Sequence, residues 1–145
     1  MVRRDDFTPD LFEVPRAPEL LDASMAFRDE VAALANTVLS DAGASREIVA
    51  AEVSRLVGGE VTKHTLDSWT AASRTKHNIP FHLVPVVEAA CKSHALSNWL
   101  AEKRGGRLLV GRDALTAELG KLERTRDEAG KRIKALKRVM GAHNS

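Results

Sequence analysis

Apolar positions along this chain recur in two different rhythms, and the elements follow from them. Phe27, Val31, Leu34, Ala35, Val38 and Leu39 return at steps of three and four, the stripe of a helix that faces a core. This spacing predicts a helix from about Asp22 to about Asp41, closed by Gly43. A second helix is predicted from a Ser45 cap through Ile48, Val49, Val53, Leu56 and Val57. Gly58-Gly59 ends it, because glycine enters left-handed dihedrals without a Cβ clash. Thr62 is placed to cap a third helix that buries Leu66 and Trp69 at i, i+3 spacing. Two shorter helices follow, one over Val84 to Lys92 with Pro85 in its first turn, the other from a Ser93 cap through Leu96, Trp99 and Leu100 to Lys103. Arg107 to Val110 could be extended, but one short run predicts no sheet.

The rhythm changes after Gly111. Leu115, Leu119, Leu122, Arg126, Ala129, Ile133, Leu136 and Met140 stand at alternating steps of four and three, with Arg126 the one polar member. A two-in-seven seam this narrow calls for another helix rather than a broad core. Gly120 and Gly130 each cost roughly 1 kcal/mol relative to Ala, so this helix needs a partner in order to form. The resulting organisation is an extended arm over 1–21, a helix-turn-helix domain over 22–103, a linker over 104–111, an oligomerisation helix over 112–140 and a tail over 141–145. Pro9, Pro15 and Pro18 keep the arm from being helical, while Phe7, Leu11, Phe12 and Val14 are apolar enough to dock on the domain or on a neighbouring subunit.

Composition supports this all-α reading. Helix formers dominate, aromatics make up 4% and tyrosine is absent. The fold class expected is therefore a helix-turn-helix helical domain followed by a long, coiled-coil-like C-terminal helix. The net charge of +2 says little, but its distribution says more. Residues 1–60 carry 6 basic and 12 acidic side chains, a balance of −6, and residues 61–145 carry 16 and 8, a balance of +8. A polyanion would meet a directional field on the basic side. The same asymmetry divides the last helix. From Asp113 to Glu128 it holds five acids and three bases, and from Ala129 to Met140 five bases and no acid. An antiparallel pair matches these halves, whereas a parallel pair stacks cations on cations.

The chemistry expected lies on the third helix. Lys63, His64, Thr65, Asp67 and Ser68 are left over once Leu66 and Trp69 are buried. Such residues can hydrogen-bond base edges from a rod that fits the major groove of double-stranded DNA. Lys63, Thr65 and Ser68 are assigned to base edges, with His64 a weaker fourth, and Thr62, Arg74 and Lys76 to phosphates. The turn from Val57 to Val61 is two or three residues longer than the tightest form of the motif. A simple αα-hairpin that packs a core, with the C-terminal helix binding another protein, is the alternative: a non-catalytic interaction module.

Other classes have less support. There is no G-x-x-x-x-G-K-[ST] loop, G-x-S-x-G elbow or H-E-x-x-H pair, so no enzyme and no cofactor are expected. Cys91-x-x-His94 with His77 and His82 has no strong zinc spacing, and Cys91 lies among valines and alanines as a buried thiol would, so no metal is expected. A single cysteine and the lack of a membrane-length apolar run point to the cytoplasm, with no membrane partner.

Several stretches together carry a resemblance: VSRLVGGEVTKHTLDSWTAAS, the basic loop, the IPFHLVPVVEAAC helix, and RGGRLLVGRDAL with its trailing charged helix. They resemble small regulators encoded by Mu-like transposable phages and prophages, loosely similar to the CII-type phage activators, over most of residues 45–140. That resemblance implies a sequence-specific transcriptional regulator acting in a bacterial host cell. It also implies a homodimer or homotetramer assembled through the C-terminal helix, with Lys63, His64, Thr65, Asp67 and Ser68 as the reading residues. The long turn departs from the tight motif and leaves the angle of the reading helix open.

Overall fold

The structure, a computed structural model, describes residues 14–143. The predicted contacts of Phe7, Leu11 and Phe12 lie outside those residues. Among the described residues the chain is all-helical: α1 (Arg28–Ser40), α2 (Arg46–Val57), α3 (Lys63–Thr70), a 3-10 turn (Phe81–Leu83), α4 (Val84–Cys91), α5 (Ala95–Lys103) and α6 (Arg112–His143). It divides into two compact units, the first ending at Leu108 and the second beginning at Leu109.

The first unit is built on the predicted stripes. Val38 and Leu39 of α1, Val49, Ala50 and Val53 of α2, and Leu66 and Trp69 of α3 share one core with Leu83, Val87, Cys91 and Leu96. Leu66 and Val53 are wholly inaccessible to solvent, at 0% exposure. The caps of the hairpin fall where expected. Ser45 Oγ accepts the Ile48 N–H at 3.3 Å, Thr62 Oγ1 accepts the Thr65 N–H at 3.2 Å, and Gly58 closes α2 with φ +74°.

Tertiary packing moves other boundaries. α1 begins at Arg28 rather than Asp22, because residues 22–25 form exposed turns and Phe27 is spent edge-on to Trp99 of α5, 5.3 Å between ring centres. The Trp99 indole N–H donates to Glu30 at 2.9 Å and Lys103 pairs with the same carboxylate at 2.9 Å, holding it below the usual carboxylate range, chiefly through the indole. The cap of α5 shifts by one residue, to His94. Ser93 Oγ accepts the Ala95 N–H at 3.1 Å, and the buried Glu88 carboxylate accepts both the N–H (3.1 Å) and the hydroxyl of Ser97. On α2, Ile48, Leu56 and Val57 belong to the predicted stripe yet remain exposed, since the helix packs through Val49, Ala50 and Val53 alone.

Residues 104–108 belong to the first unit rather than to a linker. Gly106 N–H bonds the Ala101 carbonyl at 2.8 Å and Leu108 N–H reaches Asn98 Oδ1 at 3.4 Å. No strand forms at Arg107 to Val110. The described end of the N-terminal arm is irregular and mostly exposed, but Ala17 presses on Gly105. A Cβ at position 105 would come within 2.5 Å of the Ala17 nitrogen, and the φ of +79° there independently favours glycine.

The second unit is α6, a 32-residue helix without one buried residue. It extends to His143, so the predicted tail is helical as far as it is described. Every large apolar member of the seam is exposed, from Ile133 at 54% to Leu115 at 72%.

Candidate nucleic-acid interface

α3 is the eight-residue helix predicted to carry base contacts, and what precedes it fixes its start. The five residues between α2 and α3 do not wander. The Ser54 hydroxyl accepts the Val61 N–H at 2.8 Å and lies 2.8 Å from the Ala50 carbonyl and 2.9 Å from the Val61 carbonyl, to either of which it can donate. The Gly58 N–H returns to the Ser54 carbonyl at 2.9 Å. One serine thus pins both ends of the long turn. Its signal in the sequence was weak, since a mid-helix serine usually serves only its own helix.

α3 packs on both α1 and α2, which covers more of its circumference than Leu66 and Trp69 alone would. One assigned residue is lost as a result. Ser68 is buried, and its hydroxyl donates to the Thr65 carbonyl at 2.6 Å, so it cannot face a base edge. Thr65 is half-buried and engaged with Thr62, hydroxyl to hydroxyl at 3.0 Å. Thr62, Lys63 and His64 are exposed together at the N-terminal end, with Asp67 half-exposed one turn on.

Lys63 and Asp67 are not independent. Lys63 Nζ lies 2.8 Å from Asp67 Oδ2, and Arg46 Nη1 lies 2.7 Å from Asp67 Oδ1. Arg46 also donates to Thr70 Oγ1 at 3.0 Å and to Asn36 Oδ1 at 2.6 Å, so one guanidinium joins α1, α2 and α3. The ammonium of Lys63, then Arg46, holds the Asp67 carboxyl below its ordinary range, and the carboxylate in turn holds Lys63 above its own. The Lys63 pair is open to solvent, where water and salt screen it, so its ammonium can exchange to a purine acceptor at little cost. Arg46 escaped the sequence reading. The available signal was a cation in the first turn of a helix, where the dipole disfavours it unless a partner compensates.

Arg28 opens α1 in the structure, a position the expected start near Asp22 concealed, and its role is larger. Residues 71–80 look in the sequence like a flexible basic loop, but the loop is wrapped around this side chain. Arg28 Nη2 donates to the carbonyls of Ala71 (3.0 Å), Arg74 and His77 (3.1 Å), and Nη1 to that of Ala72 (3.4 Å). Asn78 Nδ2 answers with a bond to the Arg28 carbonyl at 3.2 Å. With four carbonyls turned inward, the side chains of Arg74 and Lys76 are left exposed.

Nothing in the described residues assembles a different kind of site. No group of three or more His, Cys, Asp or Glu there could hold a metal ion. Cys91 is buried, and burial pushes its thiol above the ordinary range, away from reactivity at neutral pH. An open apolar groove of about 510 Å³, bordered by Val31, Ile79, Phe81, Trp99 and Leu100, includes none of the candidate contact residues. No described helix is long and apolar enough to cross a membrane. Compared with protein-family models, curated proteins and solved structures, the chain finds no significant match.

Proposed function

We propose that this protein is a non-catalytic, sequence-specific DNA-binding transcriptional regulator of the phage or prophage type, acting as a homo-oligomer in the cytoplasm of a bacterial host. The observation that supports this reading is the start of α3. A pinned turn leads into a capped helix whose first side chains, Lys63 and His64 beside Thr62, stay clear of the core. In the mechanism, this end of α3 enters a major groove, with Lys63 reading a purine edge and His64 beside it. Thr62, Arg74 and Lys76 hold phosphates and contribute affinity that depends on salt and not on sequence. The homo-oligomer presents more than one such helix to a repeated or inverted site.

The test is a titration against genomic fragments around its own gene at two salt concentrations, with random DNA as competitor. A site that survives competitor supports the reading, and equal binding to random DNA overturns it. Lys63→Ala is expected to weaken and broaden binding, whereas Arg74→Ala weakens all sequences alike. Equal loss on specific and random DNA in both variants would remove the role assigned to Lys63.

A protein-interaction module is the second reading, favoured by the wholly exposed seam of α6. Failure to bind DNA together with retention of a protein partner through residues 112–140 would select it.

A further inference from the structure

We infer that α6 pairs with the α6 of a second copy in antiparallel orientation, about a dyad lying between Asp127 and Glu128. The inference deepens the self-association half of the proposed function and rests on it. A 32-residue helix with no buried residue leaves its leucine seam to be covered by something. What covers it is decided by three features of the helix itself.

The first is the seam layer at Arg126. In a heptad frame Leu119, Arg126, Ile133 and Met140 take position a, and Leu115, Leu122, Ala129 and Leu136 take position d. A parallel pair brings Arg126 against its own copy in the middle of the seam, two cations in one layer. The antiparallel register sets Leu115 against Met140, Leu119 against Leu136, Leu122 against Ile133 and Arg126 against Ala129. There the small side chain leaves room for the guanidinium to reach past it to solvent.

The second feature is the flanking positions, where parallel helices place position g beside position e of the next heptad. Those pairs are Glu118 with Glu123 and Arg132 with Lys137, both of like charge and each occurring twice in a symmetric dimer. The antiparallel arrangement has neither pair. The third feature is the charge of the rod, with five acids and three bases from Asp113 to Glu128 and five bases and no acid from Ala129 to Met140. Turned head to tail, the two rods lay each basic half along the other's acidic half.

Orientation determines where the rest of the chain is attached. In the antiparallel pair Arg112 sits opposite His143, so the two attachment points lie roughly 45 Å apart along the rod at 1.5 Å per residue. A parallel pair attaches both domains at one end.

Distances between spin labels on the full chain, without DNA, separate the cases. Single cysteines replace the exposed Ala114 or the exposed Glu128 in a Cys91→Ala background. Should that background lose its helical circular dichroism, the buried Cys91 is left in place, where a label has no access. The antiparallel pair is expected to give a distance of about 40 Å at Ala114→Cys and under about 20 Å at Glu128→Cys, from the helical rise and an interaxial distance near 10 Å. Short distances at both positions overturn the orientation. A monomer in sedimentation with no intermolecular distance overturns self-pairing altogether. Neither result bears on DNA reading, which the competition titration judges separately.

Discussion

The two units of this protein are made from the same kinds of helix and dispose of their leucines in opposite ways. α1 to α5 carry stripes wide enough to meet several neighbours at once, and their central residues are sealed, as Leu66 is. α6 carries a seam two positions wide in every seven and seals nothing. α6 is the less apolar helix overall, and its apolar face is also narrower in angle. A wide stripe can close a core within one chain, and a narrow one fits a single partner helix of matching pitch. The polar groups follow the same division. In the first unit arginines tie helices together, with Arg46 spanning three of them, whereas α6 turns its charges outward along the rod.

The largest expected effect tests that contrast directly. Leu66→Ala empties a fully buried site and should destabilise the first unit by about 2–5 kcal/mol in urea unfolding, independent of protein concentration. Leu122→Ala on α6 should leave that transition in place and instead raise the protein concentration needed for self-association in sedimentation. Equal destabilisation by the two substitutions would collapse the distinction.

A middle-sized effect is expected at Arg28. Arg28→Ala removes the donor shared by four loop carbonyls and should cost about 1–3 kcal/mol. Amide exchange should rise across residues 71–78 while the hairpin of α2 and α3 keeps its protection. Unchanged exchange in the loop would show that the loop holds its shape by other means.

The smallest effect is one of pH. Asp67 titrates below its unfolded value, so the stability it contributes is present above the ordinary aspartate range and fades as pH falls through its lowered folded value. An NMR titration of the Asp67 carboxyl should place its midpoint below that of an unstructured peptide, and Lys63→Ala should move the midpoint back up. A midpoint indifferent to Lys63 would discount the pair.

Much of this fold could be read from the residues, and the reasons are local. Ser45, Gly58 and Thr62 announce the hairpin because capping and left-handed turns depend on the residue and its immediate neighbours. The late start of α1 could not be read in that way, since it depends on Phe27 meeting Trp99 far along the chain. The burial of Ser68 was equally hidden, because it follows from α3 having two neighbours, and one helix's periodicity does not count neighbours. Of the base-edge residues read from the sequence, Lys63 and His64 stay accessible, Thr65 is half-covered and Ser68 is lost. The long-range arginines were the least legible part. Their partners are backbone carbonyls and side chains that the chain order keeps dozens of residues away, as Arg28 and His77 are.

The wrapping of residues 71–78 around Arg28 also has an entropic consequence. Ordering a loop costs roughly 1–2 kcal/mol per residue in conformational freedom, and a limp basic loop meets that cost at the moment it grips an anion. Here the cost is met during folding, against the four carbonyl bonds of one guanidinium. Under the proposed function, an anion arriving at Arg74 and Lys76 would have only two side chains left to still.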